Sequence, residues 1–375
     1  GCSHFGALDG YRAVAALMVV LTHVAFLTGA VVSFRWGYVL QRFDFGVTLF
    51  FLLSGFLLFR PWVKAALLGA PRPGLRRYAL RRGARVLPAY WVVVIATLLL
   101  VPQTIAVDGW TWVSYLTAGH VYADGRLADG LYHTWSLCTE IAFYVVLPVL
   151  GLLGMSRPGT SARRALRRLV ALLGFMAASA AVFTLVRLTT DLLPSENAGL
   201  WLPAYLDWFA AGMLLAVVEV RMGQADPPRW VRTLRDLALD PAICLVLALS
   251  FFVVACTPLG GPYDLSAASP WEAFSKHWLY LLTAFCLLLP ATVGHGAGWS
   301  AALGRPVVHR VGLISYGIFL WHMMLIFLLM PAMGIGWFTG STLLVLAAVL
   351  SATLVIATIS YVVLERPIQR WAHAR

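Results

Sequence analysis

The side chains in this sequence best suited to chemistry keep unusual company. Arg12, His23, Arg82, Arg85, Glu140, His322 and Glu365 all fall within or at the edges of long apolar runs. A charge in hydrocarbon is expensive, so each such position is a candidate for function. Arg12 and His23 are eleven residues apart, a spacing that on a helix returns to within about 20° of one face after a rise of about 16 Å. That face carries a cation near one membrane surface and an imidazole near the midplane, whose unperturbed pKa of about 6.5 suits accepting and returning a proton. A snorkelling Arg and a His bonded to a neighbouring carbonyl fit the same spacing. Arg82 and Arg85, within RRGARVLP at 81–88, share a face at i and i+3 and could close fork-shaped donors on phosphate oxygens. Anchoring by positive charge is the competing account, and the better one for Arg76 and Arg77. Glu140 lies about two turns inside its run, flanked by Trp135 and Tyr144, and must be neutral, paired or open to a wet cavity. The expectation places it on the outward-facing half. His322 sits at a depth similar to His23, His133 is expected as a solvated interfacial imidazole, and Glu365 as an exposed charge closing the last run beside Arg366.

Helices must hold these groups at depth. The 375 residues are 61% hydrophobic and 12% charged, with mean hydropathy +0.82, which excludes a water-soluble protein of this size. Apolar runs near twenty residues, long enough to span about 30 Å of hydrocarbon, recur at roughly 12–31, 44–60, 86–101, 135–154, 168–188, 202–219, 241–256, 277–292, 313–332 and 341–364. The fold class is all-α: a polytopic membrane protein with about ten transmembrane helices, forming one integral domain over 1–375. The first span is expected to be a permanent helix, not a signal peptide. The net charge is +12, but the basic residues sit in short loops, so orientation and an anionic cosubstrate are the readings, not nucleic acid. Of 28 Lys and Arg, 22 fall on one side of the ten spans. That side is assigned to the cytoplasm with both termini, and the 102–134 loop, with Asp108, Asp124 and Asp129, faces outward. Cys2, Cys138, Cys244, Cys256 and Cys286 show no CxxC spacing and read as packing residues. No metal site is expected.

Six segments, in order, resemble the motifs of acyltransferase family 3, the membrane O-acyltransferases that modify O-antigens, Nod factors, macrolides and envelope glycolipids. LDGYRAVAALMVVLTH (8–23) is similar to the family's opening block with its Arg-x10-His spacing, and FGVTLFFLLSGFLL (45–58) to its second-helix block. RRGARVLPAYW (81–91) resembles the Arg-x-x-Arg motif, and HTWSLCTEIAFYVVLP (133–148) the Trp-Ser-Leu-x-x-Glu block. ISYGIFLWHMM (314–324) and YVVLERPIQR (361–370) resemble the last two. Two departures stand out. The second-helix Asp of the family is Thr48 here, which removes that carboxylate's role or moves it to Asp44. The Glu-Glu-Gln often seen in the fourth block reads Glu140-Ile141-Ala142, leaving one carboxylate. The soluble extension of some family members is not expected.

The resemblance implies an acyl-coenzyme A-dependent O-acyltransferase of the bacterial plasma membrane. Its donor is cytoplasmic acyl-coenzyme A, its acceptor a hydroxyl of a cell-envelope glycan or glycolipid, and its third partner the lipid bilayer. His23, Glu140 and His322 are then the candidate catalytic residues. Arg12, Arg82, Arg85 and Glu365 are candidates for holding the donor, and Asp44, His133 and Trp135 for the acceptor. A lipid- or macrolide-directed acyltransferase, or a transporter of organic anions or lipids, fits the same residues.

Overall fold

The computed structural model describes residues 6–374 apart from 124, 156–159, 194, 265 and 295–297; Cys2 and Asp124 lie outside the described residues. Ten helices carry the architecture: α1 (Gly6–Leu27), α2 (Gly46–Leu68), α3 (Leu75–Leu100), α4 (Trp135–Gly154), α5 (Ala162–Thr189), α6 (Leu206–Met222), α7 (Pro241–Ala255), α8 (Pro270–Thr292), α9 (Ser315–Ala332) and α10 (Thr342–Ser360). In hydrocarbon the backbone must satisfy its own polar groups, which a helix does within one segment. Among the described residues nine helical segments are long and apolar enough to cross a membrane, and a tenth follows if Arg229–Ala238 and α7, bent by 90°, form one span.

The chain path runs α7 from one end of the bundle to the other. Pro241, its first residue, accepts from Trp299 Nε1 at 2.7 Å, and that indole packs edge-on against Tyr11, beside Arg12. Ala255, its last residue, accepts from Arg42 Nε at 2.9 Å, at the other end of the bundle where α2 begins. Fifteen residues cover about 22 Å at 1.5 Å per residue.

The third span differs from expectation in its start. The helix begins at Leu75, not 86, so Arg76, Arg77, Arg81, Arg82 and Arg85 are helical and not in a loop. RRYALRR is built of good helix formers, and only Gly83 weakens the run. Close contact between α2 and α6 follows from two glycines. A Cβ on Gly55 would lie 2.3 Å from the Phe209 carbonyl oxygen, and one on Gly212 2.0 Å from that of Leu52. Small residues at such crossings let backbones approach where apolar burial alone gives no drive to associate. Phe209 stacks between Phe51 and Phe143 at centroid distances of 4.6 and 3.9 Å, and Arg60 grips Glu219 through two bonds of 2.7 and 2.8 Å.

The 102–134 segment is a packed cap, and not all of its acidic residues are solvated. Asp129 is buried and accepts from the backbone N–H and hydroxyl of Thr104, both at 2.6 Å. Tyr115 stacks on the buried His120 at 4.0 Å, and removal from water lowers that imidazole's pKa to about 3. Asp108 is exposed and caps a short helix, and its bonds from Thr111 hold its carboxyl below the usual range. Cys138, Cys244, Cys256 and Cys286 are buried and free.

Candidate active site

Two cavities enter from opposite ends of the bundle. The first, of about 370 Å³, is lined by residues late in α1 and early in α4, α6 and α8, among them His23, His133, Trp135 and His277. The second, of about 270 Å³, lies among early α1, α3 and α9, and holds Arg12, Arg82, Arg85 and Glu140. Phe319 belongs to both walls. Its ring meets Phe50 at 6.1 Å and His133 at 5.0 Å, so it stands between the two spaces.

Three imidazoles close the inner end of the first cavity. His23 Nδ1 lies 2.8 Å from the Val19 carbonyl oxygen and 3.2 Å from His322 Nε2. A carbonyl only accepts, so Nδ1 carries the proton, and the lone pair of neutral His23 is left on Nε2. The same logic fixes His322: its Nδ1 is 2.7 Å from the Phe319 carbonyl oxygen, so its Nε2 is the acceptor that faces His23. His322 is wholly buried and stands behind His23, to which its Nε2 is bonded. His133 is also buried, correcting the expectation of a solvated interfacial residue. Its ring packs 4.7 Å from His322, and its Nε2 faces the Leu320 carbonyl oxygen at 3.2 Å. For His23 and His322 the carbonyl lies four and three residues earlier in the same helix, where a side chain can share it with the backbone ladder. Among the described residues no group of three or more His, Cys, Asp or Glu is placed to hold a metal ion.

The rest of this cavity carries paired charges and aromatic faces. Asp44 accepts from Lys276 Nζ at 2.6 Å and from the Tyr280 hydroxyl at 2.5 Å. Thr48, which replaces the carboxylate expected by resemblance, is buried with an unpartnered hydroxyl. Buried Asp207 meets His277 Nε2 at 2.6 Å, and His277 stacks on Trp208 at 4.6 Å. Trp135 lies 5.3 Å from Tyr205.

The second cavity is cationic. Arg12 reaches Asp9 at 3.1 Å, whereas Arg82 and Arg85 form no ion pair among the described residues. Glu140 is here, not on the imidazole side; it accepts from the Ser54 hydroxyl and, at 2.7 Å, from Tyr144 Oη. Glu365 is buried in a π turn at Tyr361–Glu365 and accepts from Ser360 Oγ at 3.2 Å, so it is not the exposed terminal charge expected. It lies behind the cavity wall, within electrostatic range of Arg85.

Sequence reasoning passed over Lys276, His277, Asp207, Ser54, Arg187 and Phe319. Asp207 lies within the 202–219 run, and the rule that flagged Glu140 applies to it equally. His277 and Lys276 open their span and read as interfacial, while Ser54 and Phe319 differ in no way from packing residues.

A family model described as an acyltransferase domain, of the acyltransferase 3 type, matches residues 5–362. The chain is 28% identical to BcsY of Komagataeibacter xylinus, provisionally named a membrane-bound transacylase, over 96% of this chain and 81% of that protein. It is 24% identical to the peptidoglycan O-acetyltransferase OatA of Listeria monocytogenes, over 97% of this chain and 56% of OatA. To SACOL0978 of Staphylococcus aureus, an O-acetyltransferase by equally provisional name, it is 26% identical over 84% of this chain and 49% of the relative. The chain thus spans only about half the length of the last two. No solved structure matches.

Proposed function

The chain belongs to the acyltransferase 3 family, and on that premise we propose that it moves a short acyl group, acetyl or a near homologue, from cytoplasmic acyl-coenzyme A to a hydroxyl of a cell-envelope glycan or glycolipid. One observation carries this reading: a cavity with two unpaired arginines and a cavity ending in a base with a free lone pair meet at a single ring, Phe319. On this reading the arginine side faces the cytoplasm of a plasma-membrane protein, with both termini there. Arg82 and Arg85 form no ion pair among the described residues and present planar forks suited to phosphate, so they fit a phosphate-bearing donor. Arg12, held by Asp9, adds charge. Glu365 steadies Arg85 from behind.

On the other side His23 Nε2 takes the proton of the acceptor hydroxyl as its oxygen attacks the thioester carbonyl. The new C–O bond forms, the C–S bond breaks, and the imidazolium returns its proton to the departing thiolate. His322 Nε2 accepts from His23 Nδ1–H throughout and stabilises the positive charge that develops there. His133 packs the back of His322. Asp44, Lys276 and Trp135 border the space for the acceptor. Glu140 holds Ser54 and Tyr144 on the donor side and takes no proton from the acceptor.

The test is release of free thiol from acetyl-coenzyme A by the purified protein, with and without an envelope extract, followed by mass analysis of the extract. Extract-dependent thiol release and a product heavier by one acetyl group are expected. Movement of intact ligand across proteoliposomes with no thiol release would instead mean a transporter.

A further inference from the structure

The first cavity holds a cation that the mechanism does not use. Arg187, in the last turn of α5, lines it beside Tyr205 and Gly199. Two neighbours on that wall are matched within the chain, Lys276 by Asp44 and His277 by Asp207, each at 2.6 Å. Arg187 pairs with no carboxylate among the described residues, and its Nε is shielded from solvent with no hydrogen-bond partner.

Packing holds the guanidinium in place instead. A Cβ on Gly199 would lie 3.2 Å from Arg187 Cζ and 3.3 Å from Nε, so the missing side chain is the seat of the group. A shielded guanidinium donor left without an acceptor is costly. The fork geometry is matched by the oxygens of a carboxylate or phosphate. Next to it, within electrostatic range, Tyr205 lies between Trp135 and Trp208 at 5.3 and 4.9 Å. These rings offer flat apolar faces with polar edges, a surface suited to a ring that is apolar on its faces and wet at its rim.

We propose that the acceptor is an anionic glycan: a sugar unit whose carboxylate or phosphate is held by Arg187, whose ring lies on Tyr205 and Trp135, and whose hydroxyl points to His23. This rests on the first cavity being the acceptor site. It makes Arg187 the residue that selects charged from neutral sugars.

Binding without donor tests it, and keeps it separate from the transfer reaction. The detergent-purified protein is titrated with methyl glucuronide, glucose 6-phosphate and methyl glucoside by calorimetry. At least one charged sugar should bind about tenfold or more tighter than the neutral one, the ratio a charge-assisted hydrogen bond sustains. Which charged sugar wins distinguishes a uronic acid from a sugar phosphate. Arg187→Gln should bring the charged sugars to the affinity of the neutral one and leave the neutral one unchanged. Gly199→Ala, which pushes the guanidinium off its seat by a few tenths of an ångström, should erode the same preference in a chain that keeps Arg187. Equal affinity for charged and neutral sugars, an equal loss for all three in Arg187→Gln, or no binding of either charged sugar up to its solubility overturns the proposal. If charge preference is present but no sugar or extract releases thiol from acetyl-coenzyme A, the acyl-transfer reading fails and the anion site stands.

Discussion

Replacing the two bonded imidazoles one at a time separates a base from the group that supports it. His23→Gln keeps a donor for the Val19 carbonyl and fills the same space, but has no lone pair able to take a proton at neutral pH. Loss of a general base costs ~10²–10⁴-fold in rate, about 3–5 kcal/mol of barrier. His322→Gln is a smaller perturbation, and the geometry says how much smaller. The His23 tautomer is fixed by the Val19 carbonyl at 2.8 Å, nearer than His322 at 3.2 Å, so it survives without His322. What is lost is a hydrogen bond that becomes charge-assisted only when His23 is an imidazolium. Such bonds contribute about 1.5–3 kcal/mol, or ~10–150-fold at 1.4 kcal/mol per decade. Because the gain appears as charge develops, it should fall on kcat and spare the KM of either substrate. The assay is thiol release from acetyl-coenzyme A with envelope extract, on variants matched for thermal midpoint. An inactive His322→Gln beside a near-normal His23→Gln would refute the assignment of the base to α1. Equal losses in KM and none in kcat would refute the charge argument.

Three further expectations bear on the other parts of the molecule. Arg85→Lys replaces a planar fork by a compact ammonium and should raise KM for acetyl-coenzyme A with the thermal midpoint unchanged; an unchanged KM with poorer expression would mark Arg85 as a membrane anchor. Cysteines placed at Ala123 and Pro227 should differ toward an impermeant thiol reagent in intact cells, only the first reacting; equal labelling would remove the basis for a cytoplasmic donor. Gly212→Ala puts a methyl group 2.0 Å from a backbone oxygen of α2 and should cost about 1–3 kcal/mol through overpacking. Gly83→Ala, whose Cβ meets only Leu87 at 3.8 Å, should be neutral or stabilising, and a thermal melt compares the two.

Much of the depth of this molecule is legible in its amino-acid order, and much of its azimuth is not. Hydropathy located the spans because each must be apolar over a fixed length. It missed the lower three turns of α3, where arginines extend the helix beyond the apolar run. The separation of Trp135 from Glu140 was within reach: five residues on a helix are about 140° apart, so the two cannot face one cavity. Which face of α4 met the arginines and which met the imidazoles depended on neighbours from α2 and α9, and no single-helix pattern encodes that. The buried states of His133 and Glu365 were missed for a related reason. Both lie at the ends of apolar runs; His133 is taken out of water among His23, Phe319 and His322 of α1 and α9, and Glu365 within the π turn after α10.

The segment ISYGIFLWHMM shows how one helix can order both halves of a reaction. Ser315, Phe319 and His322 are spaced four and three residues apart, which places them along one stripe of α9. Ser315 and Tyr316 line the arginine cavity, Phe319 lines both cavities, and His322 sits behind the other. The stripe therefore runs from the arginine side to the imidazole side in two turns, a rise of about 11 Å. On the proposed reaction, a thioester carbonyl brought in from one end and a hydroxyl from the other would meet at the level of Phe319, the ring common to both cavities. The carbonyl oxygen of Phe319 also fixes the tautomer of His322 at 2.7 Å. The residue that separates the two cavities is thus tied through its backbone to the imidazole pair, so any movement of α9 that displaces the ring also displaces the acceptor on which His23 leans.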